Sequence, residues 1–300
     1  MKNSKWFVLV LLIIAALCGC SKLARGEQDE YMIDFLGGIL DIPVQYNSDY
    51  DLQLVDDAGS WISIIRTKTL MQTGGIQLDI ATNFNGTDRY GQIIARSKEN
   101  ASSVTITIHQ RRLDIAIPPS NEIWYKSHSG KTIPLAKSSS LLVSNTYVDG
   151  KGIYRFSQDL TDIGEMLDYS DQCQTTRENE DFKSLILPKG VTSITMYGLS
   201  HFNHAVMLVL PYNLSSLSAD CFCRFGEKTN TDNHLFFLSP RCPTTSSVTF
   251  WNQHGKLFVH YPKGADYSEV ESALQWWAED IDSNDWVYSM VETDYDGIMH

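Results

Sequence analysis

The chain has 300 residues, with 36 acidic against 24 basic side chains and a formal net charge of −12. At about one domain per 100 to 200 residues this length implies two folded units, and a hydrophobic fraction of 43% supplies a core for each. The acidic balance excludes nucleic acid as an expected partner, because phosphate recognition needs clustered Lys and Arg, and it reads instead as a solubilising surface.

At the N-terminus Lys2 and Lys5 precede the apolar run WFVLVLLIIAALCG, which is short for a membrane span and closes on Leu17-Cys18-Gly19-Cys20. The order of charged, apolar and cysteine-bearing segments resembles a bacterial lipobox. The resemblance implies that residues 1–20 are a lipoprotein signal peptide and that Cys20 is diacylated and becomes the first residue of the mature protein. The protein would then be exported and anchored by lipid to the bacterial envelope, at the outer membrane and cell surface. More than one acyl chain, at about 0.8 kcal/mol per buried methylene, makes such anchoring stable. Residues 21–30 are polar and read as a tether.

From Tyr31 the texture changes to short strands. ILDIPVQY alternates, LQLV follows, and WISII comes after Gly59-Ser60. IQLDIATN and RYGQIIAR flank Asn85-Gly86, a dipeptide suited to a type I′ hairpin turn in which both central residues take positive φ. VTITIHQ places Val104, Ile106 and Ile108 on one face. Strands at this spacing predict a small β-sandwich. Trp61-Ile62, Asn83, Arg89-x-Gly91-x-Ile93 and the closing Val104 to Gln110 segment resemble the BACON domain, an immunoglobulin-like module of exported proteins of gut Bacteroidetes. That resemblance covers residues 31–112 and implies contact with carbohydrate or mucin. No row of exposed aromatic residues of the sugar-stacking kind is visible in the segment, and Trp61 reads as a core residue. Pro118-Pro119 stiffens the exit, so residues 113–120 read as a linker.

The region 121–300 opens with NEIWYKSHSGKTIPL, read as two strands around Ser129-Gly130, and continues through VSNTYVDGKGIYRF with a turn at Asp149-Gly150. LILPKGVTSI at 185–194 then returns as LVLPYNLSSL at 208–217, and Leu160 to Ile163 carries the same turn half. Such a unit cannot bury its apolar face alone, so the repetition predicts stacked coils, with Leu187 and Leu210 inward. EIWYKS, the two repeats, the closing KLFVHYPKGADYSEV and the helical SALQWWAEDI resemble the BspA type of bacterial leucine-rich repeat. The fold class expected is mainly β: an N-terminal immunoglobulin-like β-sandwich, then a short, degenerate leucine-rich-repeat β-solenoid with a C-terminal capping helix. Members of that family act as adhesins. The chain departs from them after each turn, where the family's Ala-Phe pair is mostly replaced, as in MYGLSHFNH.

Chemistry-bearing patterns are sparse. Cys173, Cys221, Cys223 and Cys242 allow three pairings, and the sequence does not choose among them. Cys221, Cys223 and Cys242 with His234 form a drawable zinc set, but Cys-x-Cys is not the usual two-residue spacing. Gly198 to Phe202 begins like a nucleophile elbow without the closing glycine. His201 and His204 are three apart. The Asp280-x-Asp282-x-Asn284 pattern has Asp285 and Val291 where a calcium loop needs Gly and Glu. Asp56-Asp57 is an acidic pair in an acidic chain. The expectation is therefore no enzyme and no cofactor or metal, with membrane contact through the lipid anchor and a host protein, mucin or glycan as partner. The alternative is a structural or accessory protein of the envelope that binds another protein there.

Overall fold

The computed structural model describes residues 22–23, 28–43, 50–68, 75–98, 103–167, 181–226, 232–250, 255–280, 286–296 and 298–299. The protein is mainly β, with one α-helix among the described residues, and its chain divides into two units after Ile115. The segment 1–20 expected to be a signal peptide, with Cys20, and also Cys173 lie outside the described residues.

The first unit holds strands β1 (Lys22–Leu23), β2 (Gln28–Ile33), β3 (Gly38–Pro43), β4 (Tyr50–Val55), β5 (Ile62–Lys68), β6 (Gly75–Ile80), β7 (Arg89–Ser97) and β8 (Ser103–Gln110). One sheet runs β1-β2-β8-β7-β4, with β2 parallel to β8; the other runs β3-β6-β5, antiparallel throughout. Period-two alternation sends one side of each strand inward. Leu40, Ile42, Leu78 and Ile80 from the small sheet meet Ile93, Ala95, Ile106 and Ile108 from the large one in a single core. The structure departs from the sequence expectation at two places. Pairing starts before Tyr31, since the backbone of Gln28, Asp29 and Glu30 in the expected tether already pairs with β8. Asn85-Gly86 is not a hairpin turn, because β6 and β7 belong to different sheets. Asn83 organises that crossing instead: its Nδ2 donates to Thr87 O and Arg111 O, both at 3.0 Å. In the segment read as a linker, Leu113 and Ile115 are buried.

The second unit begins with β9 (Glu122–Ser127), β10 (Leu142–Val148) and β11 (Lys151–Phe156). Asp149 and Gly150 join β10 to β11 with φ of 50° and 74°, the pair of positive values that a type I′ turn requires. Ser129-Gly130 does not close a hairpin: β9 ends at Ser127, and 132–136 is not a strand. Next come β12 (Asp162–Ile163), β13 (Phe182–Ile186), β14 (Ser193–Ile194), β15 (Met207–Leu210), β16 (Ser216–Leu217), β17 (Asn233–Phe237), β18 (Gly255–Pro262), helix α1 (Ser268–Asp280) and β19 (Trp286–Thr293). An eight-stranded sheet runs β10-β11-β9-β13-β15-β17-β18-β19, antiparallel up to β13 and parallel from β13 onward. A smaller parallel sheet, β12-β14-β16, continues through a bridge from Ser216 to Thr244.

The repeated decapeptides lie side by side in both sheets. Leu185 pairs with Leu208, and Ile194 with Leu217. The correspondence extends beyond the repeated letters. Tyr197 and Asp220 take φ of 59° and 55°, and His201 and Arg224 take 62° and 60°, so left-handed kinks recur at matched places. Leu199 and Phe222, then Phe202 and Phe225, fill equivalent core positions after those kinks. One further coil was not visible in the sequence: Leu235 and Phe237 pair with Leu208 and Leu210, while Leu238 stands where the earlier coils have Pro188 and Pro211. Hydroxyl side chains link the coils at the small sheet. Thr192 Oγ1 donates to Thr161 O at 3.1 Å, Ser215 Oγ to Thr192 O at 2.9 Å, and Thr244 Oγ1 to Ser215 O at 3.3 Å. The backbone N–H of each makes the same bond, which explains the Thr and Ser of the turn half. Helix α1 buries Val270, Ala273, Leu274 and Trp277 in the core. It is not the last element, however, because β19 follows it and pairs in parallel with all of β18.

Candidate functional site

Leu185, Leu208, Leu235 and Val259 point into the core of the second unit, so their strand neighbours line the outer face of the eight-stranded sheet. One row crosses the whole face: Thr146, Ile153, Trp124, Ile186, Val209, Phe236, His260 and Val291 are paired in succession. Its centre is closed to solvent, since Met207, Val209 and Phe236 are at most 1% exposed. Toward β18-β19 Lys256 and Val287 are exposed on this face, and at its open β9-β10-β11 end Thr146, Val148 and Arg155 are exposed and Trp124, Lys126, Lys151 and Ile153 partly so.

In the closed part His234 and His260 form a buried pair, Nδ1 to Nε2 at 2.8 Å, stacked among Phe236 and Phe258. The hydrogen bonds assign the tautomers. Thr293 Oγ1–H donates to Val291 O (3.2 Å), so Oγ1 accepts from His260 Nδ1–H (3.2 Å). The second nitrogen of neutral His260 is then a lone pair, and it accepts from His234 Nδ1–H. Burial holds both imidazoles well below their ordinary pKa, with His260 pushed down to about 4; for His234, the His260 and Lys256 charges act in the same direction. A neutral, stacked and enclosed pair is a packing device rather than an acid–base centre.

At the open end Trp124 Nε1 donates to Glu122 Oε2 at 2.7 Å, and Arg155 reaches Glu122 Oε1 through Nε (2.8 Å) and its terminal nitrogen (2.7 Å). Burial raises the Glu122 pKa, but these bonds and the charges of Arg155 and Lys151 outweigh it and hold the carboxyl below its usual range. Lys151 Nζ lies 3.4 Å from the centroid of the Trp124 ring. The signal for this cluster was present in the sequence as two alternations, Trp124-x-Lys126 and Lys151-x-Ile153-x-Arg155. Their meeting needed the strand order, since β9 is separated from β11 by the whole of β10.

The residues singled out from sequence do not converge on chemistry. Among the described residues Cys221, Cys223 and Cys242 form no disulfide. Cys221 packs in the core, and burial pushes its pKa and that of Cys242 up. Among the described residues no group of three or more His, Cys, Asp or Glu is placed to hold a metal. Ser200 is fully buried, which removes the elbow reading. His204 accepts through its carbonyl from His128 Nε2 at 3.1 Å. Asp56 and Asp57 are exposed on a 3-10 turn at 56–60, and Val291 sits within β19. In the first unit, Trp61, Arg89, Gly91 and Gln110 form one knot. The Arg89 guanidinium lies over the Trp61 ring at 4.3 Å, its Nε donates to Gln110 Oε1 at 2.8 Å, and it also bonds Ala81 O and Thr82 O, both at 2.9 Å. Gln110 Nε2 closes the knot on Ala81 O at 2.9 Å. These residues tie the two sheets together, and Trp61 is 5% exposed.

No protein-family model matches the chain, and no curated protein matches it.

Proposed function

We propose that this chain is a non-enzymatic, lipid-anchored surface binding protein of a bacterial envelope, acylated at Cys20, that adheres to a host protein, mucin or glycan. In this reading the first unit is a BACON-like immunoglobulin sandwich and the second a short BspA-type leucine-rich-repeat solenoid. The observation that carries it is the stacking of unequal coils in register at two levels, Leu185 on Leu208 and Ile194 on Leu217, with the left-handed kinks at Tyr197 and His201 recurring at Asp220 and Arg224. For the first unit, naming β2 to β8 as strands A to G gives sheets A-G-F-C and B-E-D, close to the constant-type immunoglobulin partition. Strand A joins G here rather than B, and β3 and β7 carry no cysteines for the inter-sheet disulfide of antibody domains. A stack of coils held on hydrophobic contacts offers a broad surface, the arrangement that adhesion uses.

The test is binding of the purified full-length protein, in detergent, to immobilised host matrix proteins, mucins and polysaccharides. Saturable binding to at least one class is expected. Silence toward all of them, together with co-purification of another protein of the same envelope, would overturn the reading in favour of an envelope scaffold.

A further inference from the structure

We infer that the open end of the outer sheet face, where Lys126, Lys151 and Arg155 surround Trp124, binds the carboxylate or sulfate groups of an acidic polysaccharide. The inference rests on the surface-binding reading above and names its ligand class. In a chain of net charge −12, three cations gather on adjacent strands around one indole. Glu122, the carboxylate that pairs with Arg155, has Oε1 on Arg155 and Oε2 on Trp124, so it is engaged on both oxygens. Among the described residues the Lys151 ammonium makes no hydrogen bond. It is held by the Trp124 ring, and its three N–H donors remain available. Arg155 spends Nε and one terminal nitrogen on Glu122, and its side chain is 55% exposed, leaving guanidinium donors toward solvent.

Ring and cation are thus placed before any ligand arrives, which lowers the ordering cost of binding. Charge complementarity raises the encounter rate with an anion and makes it sensitive to salt. A sugar ring bearing a carboxylate or sulfate presents a fixed anion beside apolar C–H groups. The site offers the matching pair, cations next to Ile153, Val148 and the indole edge. An acidic peptide carries its carboxylates on rotatable arms and loses more entropy in meeting the same cations.

The experiment titrates the full-length protein with sulfated dextran and with uncharged dextran of equal length, at low and high salt, and with polyglutamate as the peptide arm. Saturable, salt-sensitive binding of sulfated dextran is expected, with none to the uncharged polymer. The Lys126→Gln/Lys151→Gln double variant should bind at least about tenfold more weakly with an unchanged melting curve. Lys151→Arg keeps charge and ring contact and should bind as the native protein does, as should Lys98→Gln in the first unit. Equal binding of charged and uncharged dextran, absence of binding to sulfated dextran, undiminished binding by the double variant, or polyglutamate binding as tightly as the polysaccharide would each overturn the inference. A host ligand still bound by the double variant would leave the surface-binding reading standing while this site falls.

Discussion

Gly91 has no room for a β-carbon: one placed there would lie 2.7 Å from the Trp61 ring and 2.8 Å from the Ile62 side chain. The indole cannot retreat, because Arg89 stacks on it and is held at Gln110, Ala81 and Thr82. Gly91→Ala should therefore cost about 1–3 kcal/mol as an overpacked core, read as a lowered urea midpoint at unchanged slope. A second expectation at this scale concerns His260. Its folded pKa of about 4 lies below the ordinary imidazole value of about 6.5. The unfolded chain therefore binds protons first as pH falls, and the stability present above pH 6.5 is lost toward pH 4. The gap corresponds to something on the order of 3 kcal/mol. Native protein should melt progressively lower over that window, and His260→Gln should flatten the dependence; an unchanged profile in the variant would show that the pair does not control it. The sequence marked Trp61, Arg89, Gly91 and Gln110 as a set, and the structure makes them a structural knot. His234 was drawn with cysteines rather than with His260, because no spacing rule links positions on two parallel strands.

At the scale of elements, Leu187 follows β13 and Leu210 ends β15, both at most 1% exposed, and Leu187 N–H donates to Val209 O at 3.1 Å. Leu210→Ala should cost about 2–5 kcal/mol. Coils lean on their nearest neighbours, so hydrogen exchange should rise around Leu185 and Leu235 before it rises in the first unit. Unchanged protection from 181 to 250 would contradict the packing. The hydroxyl ladder gives a smaller effect. Thr192→Val removes one bond to Thr161 O while keeping shape, and about 0.5–1.5 kcal/mol is expected from a thermal melt. Only one link of that ladder, Ser215 to Thr192, spans 23 residues; the others span 31 and 29. That inequality is why the coil at Leu235 was not legible, since it breaks the 23-residue spacing and has Leu238 in place of the proline, whereas the turn half at Leu160 to Ile163 was recognised by its letters.

For the whole molecule, the division after Ile115 leads to an expectation of two separable cores. Fragments 27–113 and 119–300 should each melt cooperatively, and one transition that neither fragment reproduces would refute independence. Replacing Cys20 with Ala should release the protein from membranes, as fractionation and lipid labelling would show; continued labelling would assign the lipid elsewhere. By itself the sequence determined local matters: the alternation that makes strands, the Asp149-Gly150 turn, the helix around Leu274 and Trp277, and the 23-residue echo. Each is carried by neighbours along the chain or by identical spacing, which a linear reading detects. Tertiary structure alone decided that Asn85-Gly86 crosses between sheets, that β19 extends the stack beyond α1, and that Trp124 meets Lys151. Those outcomes depend on which strand pairs with which. That choice comes from burying both faces of a growing sheet at once, and it leaves no periodic mark on the chain.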